Sequence, residues 1–200
     1  LIIMYHRILP SNLLNHWLQP GMYVHPSTLD NHLQFLRNYF DFCSIQSINL
    51  NKRSSLSKPT CILTFDDGWR DFYDHAFPIL KKHSVPATVF LPTDYIGTDR
   101  WFWTDRLGCA LYYLHDCPHF CNHHNQSTVE YLFYSIIRTK GLFSNKLENS
   151  ILLLKQYPSD TIEHVLSHLE SLAGITTCHE RAFLSWEEVR SLKESGLVSF

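Results

Sequence analysis

The stretch that most constrains the fold lies between residues 60 and 91. "TCILTF" (60–65) is a short, largely apolar run, and "ATVFL" (87–91) is a second. Between them Trp69, Phe72, Tyr73, Ala76, Phe77 and Leu80 recur at helical spacing. Strand, helix and strand in so short a length make a βαβ unit, and its two strands must lie parallel because the crossover returns the chain to the same end of the sheet. Strands of a parallel sheet are covered on both faces, which suits apolar runs that do not alternate. Pro78 interrupts the helical pattern. Either the helix kinks there, or a loose turn comes first and a regular helix starts near Pro78.

Around this unit, residues 2–5 read as a short strand. Residues 27–40 read as a helix carrying Leu29, Leu33, Leu36 and Phe40, with Ser27 as its N-cap. Residues 41–45 read as a short strand and 51–59 as a polar loop. After residue 91 the alternation stops. Four helical patterns follow in a row, led by Trp103/Leu107/Leu111/Leu114, Val129/Leu132/Phe133/Ile136, Leu147/Ile151/Leu154 and Ile162/Val165/Leu166/Leu169. They are read as a helical insertion spanning about 103–172. Ser185 and Glu188 form a capping box for a last helix that stops at Gly196, and "LVSF" begins another strand. The expected class is α/β, with one domain over 1–200.

With 44% apolar and 18% charged residues, the chain is globular in composition. Its net charge of −2 supplies no basic stripe to neutralise phosphates, which argues against a nucleic-acid partner. No apolar stretch is long enough to span a bilayer. The six cysteines are scattered and form no disulfide framework; Cys61 and Cys109 sit in apolar runs as small hydrophobes. The chain begins at Leu1 in strand-like sequence and ends in strand-like sequence, and is read as cut at both ends.

Asp66, Asp67 and Gly68 follow the first buried strand directly. In parallel α/β folds reactive groups gather beyond the C-terminal ends of strands. Successive strand residues face opposite ways, so both carboxylates can serve one site only if the strand is already turning, and Gly68 permits the turn. Two neighbouring carboxylates repel, and a cation or a proton relieves the strain. One carboxylate can hold a divalent cation while the other takes a proton from water. An ordinary helix N-cap is the alternative reading of the same residues.

"LTFDDGWRDFYDHAFPILKKHSVPATVFL", with "MYHRIL" at the start, "YIGTDRWFWTDRL" at 95–107 and "LSWEEVRSLKESGLVSF" at 184–200, resembles the polysaccharide deacetylase family, carbohydrate esterase family 4, also called the NodB homology domain. The resemblance implies a distorted (β/α) barrel, here a partial one, and a hydrolase that removes N-acetyl groups from amino sugars of a glycan. It implies Asp66 as the general base and Asp67 as a ligand of a divalent metal, usually zinc. It places the other two ligands in a His-x-x-x-His motif after residue 200; none of the thirteen histidines forms such a pair in the expected place. The 200-residue chain is therefore expected to bind zinc weakly and not to catalyse. The family resemblance leaves the compartment open between bacterial cytoplasm and cell envelope.

Three further features carry two readings each. His6 either borders the site beside Asp66 or is a packed, hydrogen-bonded histidine. Trp101, in "RWFWTDR", either stacks on sugar or packs against the next helix. The insertion either shapes the substrate groove or simply packs as core. "HDCPHFCNHH" (115–124) lacks standard zinc spacing and reads as a polar loop. Rival functions are a magnesium-dependent phosphoryl-transfer enzyme, disfavoured by the lack of a glycine-rich phosphate loop, and a non-catalytic glycan-binding member of the same fold.

Overall fold

The structure is a computed structural model that describes residues 1–14, 19, 21–47, 58–114, 127–175 and 181–200. The chain divides into two compact units, one of Leu1–Leu14, Gly21–Arg100 and His179–Phe200, the other of Asn15–Pro20 and Trp101–Cys178.

The first unit is built on a parallel sheet. In chain order its described elements are β1 (Ile2–Tyr5), β2 (Arg7–Ile8), β3 (Tyr23–Val24), α1 (Pro26–Arg37), β4 (Asp41–Phe42), β5 (Thr60–Phe65), α2 (Phe77–His83) and β6 (Ala87–Val89). The main sheet runs β1-β5-β6 and continues to a strand near residue 200; β4 adds to the start of β5. The register aligns Ile2 with Ile62 and Tyr5 with Phe65, then Phe65 with Val89. β2 and β3 form a separate parallel pair. The βαβ unit read from residues 60–91 is therefore present, and the class is α/β.

Alternation along β5 separates two faces. Leu63 and Phe65 are buried with Tyr5, Phe72 and Leu80 in the core. Phe65 stacks on Tyr5 at 5.3 Å and meets Phe72 edge-on at 4.7 Å. On the other face Thr64 lies level with Met4. Here Ile2, Met4 and Phe90 stay exposed, so the sheet offers an open apolar surface beside the end of β5.

Several local readings shift. α1 begins at Pro26, and its N-cap is His25, not Ser27: His25 Nδ1 accepts from the Ser27 backbone N–H at 3.2 Å. Pro26 explains this, because proline suits the first helical position, where its missing N–H has no partner to lose. The helix ends at Arg37, short of residue 40. The strand expected over 41–45 spans Asp41–Phe42, and Ile45–Ser47 is a 3-10 turn. The loop at 51–59 falls mostly outside the described residues. The strand expected over 87–91 stops at Val89. Between Gly68 and α2, residues Phe72–Ala76 form a single wide π turn, and Pro78 sits in the first turn of α2. A regular helix starting near Pro78 is the alternative observed.

The second unit contains the four expected helices: α3 (Trp103–Tyr113), α4 (Thr128–Arg138), α5 (Phe143–Leu154) and α6 (Ser159–Leu172). Their apolar stripes meet in one core that includes Leu107, Leu132, Ile136, Leu147, Val165 and Leu166. Arg106 of α3 donates two hydrogen bonds to Glu170 of α6, at 2.8 and 2.9 Å, and one to Glu163 at 2.7 Å. Residues 115–124 lie outside the described residues.

The chain returns to the first unit with α7 (Trp186–Glu194) and β7 (Val198–Ser199), which pairs parallel with β6. Ser185 and Glu188 form the expected reciprocal capping box. Among the described cysteines, Cys43, Cys61 and Cys109 are free thiols, and Cys61 and Cys109 are buried. No described helix is long and apolar enough to cross a membrane.

Candidate active site

The end of β5 turns as soon as the ladder stops. The Asp66 N–H donates to Tyr5 O at 2.9 Å, which continues the pairing with β1 by one residue. Asp67 then takes φ +70° and Gly68 φ +57°. Two successive left-handed residues swing the chain away from the sheet. The sequence reading gave the turn to Gly68; it starts one residue earlier, at Asp67. Aspartate is among the few residues that enter this region at modest cost. At Gly68 only glycine fits, because a Cβ there would lie 2.8 Å from Leu91 Cδ2 and 3.1 Å from Ile96 Cδ1.

The turn puts both carboxylates on one hollow. Asp66 and Asp67 line a cleft of about 480 Å³. Ile2 and Met4 from β1, Thr64 from β5, and Ile45, Phe90, Leu91 and Pro92 form its remaining walls. The second strand ends at Val89, the Phe90 N–H adds one further bond to Phe65 O at 2.8 Å, and residues 90–92 then line this wall.

His6 follows β1 and brings Nε2 to 4.0 Å from Asp66 Oδ2, a charge contact when the imidazole is protonated. Burial pushes the Asp67 carboxyl above the usual carboxylate range. The charge of Asp66 adds to this, while His6, the Trp69 N–H and Arg7 act against it. Trp69 Nε1–H donates to Asp67 Oδ2 at 3.4 Å. The Arg7 guanidinium lies over the Trp69 ring, 4.1 Å from its centre. Arg7 Nε in turn donates to Asp71 Oδ2 at 2.8 Å, and the Ile8 N–H donates to Asp71 Oδ1 at 2.8 Å.

A distant segment pins the turn. The Leu184 N–H donates to Gly68 O at 2.9 Å and the Arg70 N–H to Ala182 O at 2.8 Å. Phe183 stacks on Trp69 with ring centres 4.5 Å apart. Arg181 grips Glu188 through two hydrogen bonds, at 2.7 and 2.9 Å, and also donates to Phe183 O. None of Arg7, Asp71, Phe183 and Arg181 was singled out as a candidate from sequence. "MYHRIL" and "GWRDF" contain the first two, but nothing local shows that they meet.

The structure thus brings Asp66, Asp67 and His6 together. Trp101 belongs to the helical unit. As a cation site the cluster is incomplete: among the described residues no three His, Cys, Asp or Glu side chains form a group able to hold a metal. The half-buried Asp67 with Asp66 beside it favours a positive charge, but the donor set does not amount to a zinc cage.

Residues 53–126 match the family model "Polysaccharide deacetylase". A poly-beta-1,6-N-acetyl-D-glucosamine N-deacetylase of Staphylococcus aureus (strain MSSA476) is 26% identical over 117 residues. Over these residues the chain is similar to the polysaccharide deacetylase family. That match takes in 54% of this chain and 40% of the relative. The Staphylococcus epidermidis protein of the same name is 41% identical over 51 residues, 26% of this chain and 18% of that one. The chain thus spans less than half the length of these curated relatives. Among solved structures, a de-N-acetylase from Aggregatibacter actinomycetemcomitans aligns with TM-score 0.48 and 17% identity, over 99% of this chain and 52% of that one. IcaB from Ammonifex degensii aligns with TM-score 0.42 and 21% identity, over 84% and 79%.

Proposed function

We propose that this chain is the N-terminal part of a catalytic domain that hydrolyses the N-acetyl amide of an amino sugar in a polysaccharide. The observation that supports it most is the shared cleft of Asp66 and Asp67 at the end of a central parallel strand. In this reading Asp66 is the general base. Its carboxylate takes a proton from a water that attacks the acetamide carbonyl carbon; the carbon–nitrogen bond then breaks, and the amine leaves with a proton. Phe90, Leu91 and Pro92 offer an apolar wall suited to the acetyl methyl, and they restrict water to the polar end of the cleft. His6, 4.0 Å from Asp66, is a second proton-carrying group beside the base.

Asp67 is the proposed metal ligand. The described residues do not complete the cage for the zinc that the family resemblance implies, so no step is assigned to an ion. Isothermal titration of zinc into the 200-residue chain should accordingly show weak binding; tight binding that Asp67→Asn abolishes would refute this. The glycan is proposed to be an N-acetylglucosamine polymer, as the names of the Staphylococcus relatives state for those proteins. Trp101 is proposed to stack on a sugar face; Trp101→Ala should then raise KM and leave kcat unchanged.

The deciding experiment is acetate release from N-acetylglucosamine oligomers by the protein as its gene encodes it. Asp66→Asn should lower kcat at least 100-fold with circular dichroism unchanged. Full activity in that variant would overturn the reading. Binding of the oligomers with no acetate release would favour a glycan-binding member of the fold.

A further inference from the structure

We propose that Arg7 and Asp71 are positioning residues for the Asp67 carboxylate, acting through the Trp69 indole. The inference rests on the reading of Asp67 as a working carboxylate of the deacetylase site, and it concerns residues outside the two aspartates themselves.

Asp67 stands on a left-handed backbone with its carboxyl half-buried. Neither condition holds a side chain in one orientation. One polar contact at its Oδ2 comes from Trp69 Nε1–H, long at 3.4 Å, so the angle of the indole decides whether that bond forms. The indole plane is set from two sides. Phe183 stacks on it at 4.5 Å with an interplanar angle of 21°, and the Arg7 guanidinium lies 4.1 Å from its centre. A flat cation against an aromatic ring is attracted to the ring face and orients it.

Arg7 is itself fixed. Asp71 is almost fully buried and receives Arg7 Nε at one oxygen and the Ile8 N–H at the other, each at 2.8 Å. Both oxygens are thus committed to the β2 segment, which leaves the Asp71 carboxylate no freedom to turn toward the cleft. The order of contact runs from Asp71 to Arg7, from Arg7 to the Trp69 ring, and from the ring N–H to Asp67. It ties β2, which carries Arg7 and Ile8, to the turn after β5. A carboxylate buried only to stabilise the fold would need its partners, but would not need that partner's flat face to rest on an indole that bonds Asp67. Supporting groups of this kind commonly orient a working residue without touching substrate.

The test combines a spectroscopic and a kinetic readout. In the 200-residue chain with nitrogen-15-labelled tryptophan, the Trp69 indole N–H is assigned by its loss in Trp69→Phe. Asp67→Ala should shift this resonance and speed its exchange with solvent. Asp71→Asn and Arg7→Lys should do the same, each accelerating exchange about tenfold. Leu36→Ala, a core substitution in α1, should leave the resonance in place. Arg7→Lys keeps a positive charge and removes the flat face, so it tests the geometry even if Asp71→Asn does not fold. An indole resonance unmoved in Arg7→Lys would overturn the proposal. In the protein as encoded, acting on N-acetylglucosamine oligomers, Asp71→Asn should lower kcat about tenfold with KM within twofold. If Asp67→Asn abolishes turnover while Asp71→Asn and Arg7→Lys leave kcat intact, the positioning role falls and the deacetylase reading stands. If Asp67→Asn turns over normally, the deacetylase reading falls, and the indole result stands by itself as a structural contact.

Discussion

At the scale of single residues, Asp67 sits where its chemistry and its stability conflict. Its left-handed backbone and half-buried charge both oppose folding, a pattern found at working sites whose surroundings hold an unfavourable conformation. Burial raises its pKa, so the folded chain binds a proton more tightly than the unfolded one. The protonated form therefore stabilises the fold at pH below the ordinary carboxylate range. That contribution is lost as pH rises through the raised folded-state value, and at neutral pH the charge works against the fold. Asp67→Asn removes the charge, keeps the shape and accepts a left-handed backbone readily. Its Tm at pH 7 should exceed the parent's by roughly 2–4 °C, while any deacetylase activity is lost. The gain should shrink as the pH falls into the acid range, and thermal unfolding across pH checks it. Gly68→Ala should do the opposite. A methyl 2.8 Å from Leu91 on a φ of +57° should cost about 2–4 kcal/mol in chemical denaturation.

At the scale of elements, α7 does more than end the chain's described helices. Glu188 closes the capping box on Ser185 N–H at 2.8 Å and accepts both nitrogens of Arg181, whose neighbours Ala182 and Leu184 pair with the turn at 68–70. Burial opposes the Glu188 charge, but Arg181 and the Ser185 N–H outweigh it, and the carboxyl is held below its ordinary range. A lowered folded-state pKa gives stability that is present above the ordinary glutamate value and lost as pH falls through the depressed one. Glu188→Gln should therefore unfold at lower temperature at pH 7, by an amount equivalent to about 1–2 kcal/mol. The gap to the parent should close as the pH drops below about 4. Equal gaps at pH 7 and pH 3 would show that Glu188 acts by shape alone. The capping box was legible because its signal fits inside four residues. The clasp was not: Arg181 and Glu188 are near in sequence, but their shared task at Gly68 and Arg70 is a contact between distant parts of the chain. The same limit explains His25, where Pro26 decided the cap, and Phe90 and Leu91, whose apolar character reflects a cleft wall that a strand pattern cannot distinguish.

At the scale of the whole molecule, the helical run was legible because each stripe repeats within its own helix, and the Asp pair because a buried strand ends on it. The surroundings of that pair were only half legible: strand order offered His6 a place beside Asp66 as one of its two readings, whereas Arg7 and Asp71 become neighbours only through the fold. The sequence reading takes 1–200 as one catalytic domain with an insertion, while contacts divide the chain into two units. Each unit owns a core: Leu63, Phe65 and Phe72 in one, Leu107, Leu132 and Leu166 in the other. Leu166 is fully buried among α3–α6, so Leu166→Ala should remove about 2–5 kcal/mol from that core. Native-state hydrogen exchange then distinguishes two outcomes. If the units open separately, amides of α3–α6 lose protection by the full amount while those of β5 keep theirs. If insertion and sheet form one cooperative domain, protection of the slowest β5 amides falls by the same free energy. The division into two compact units favours the first outcome, and equal losses in β5 and α6 would instead show a single folding unit.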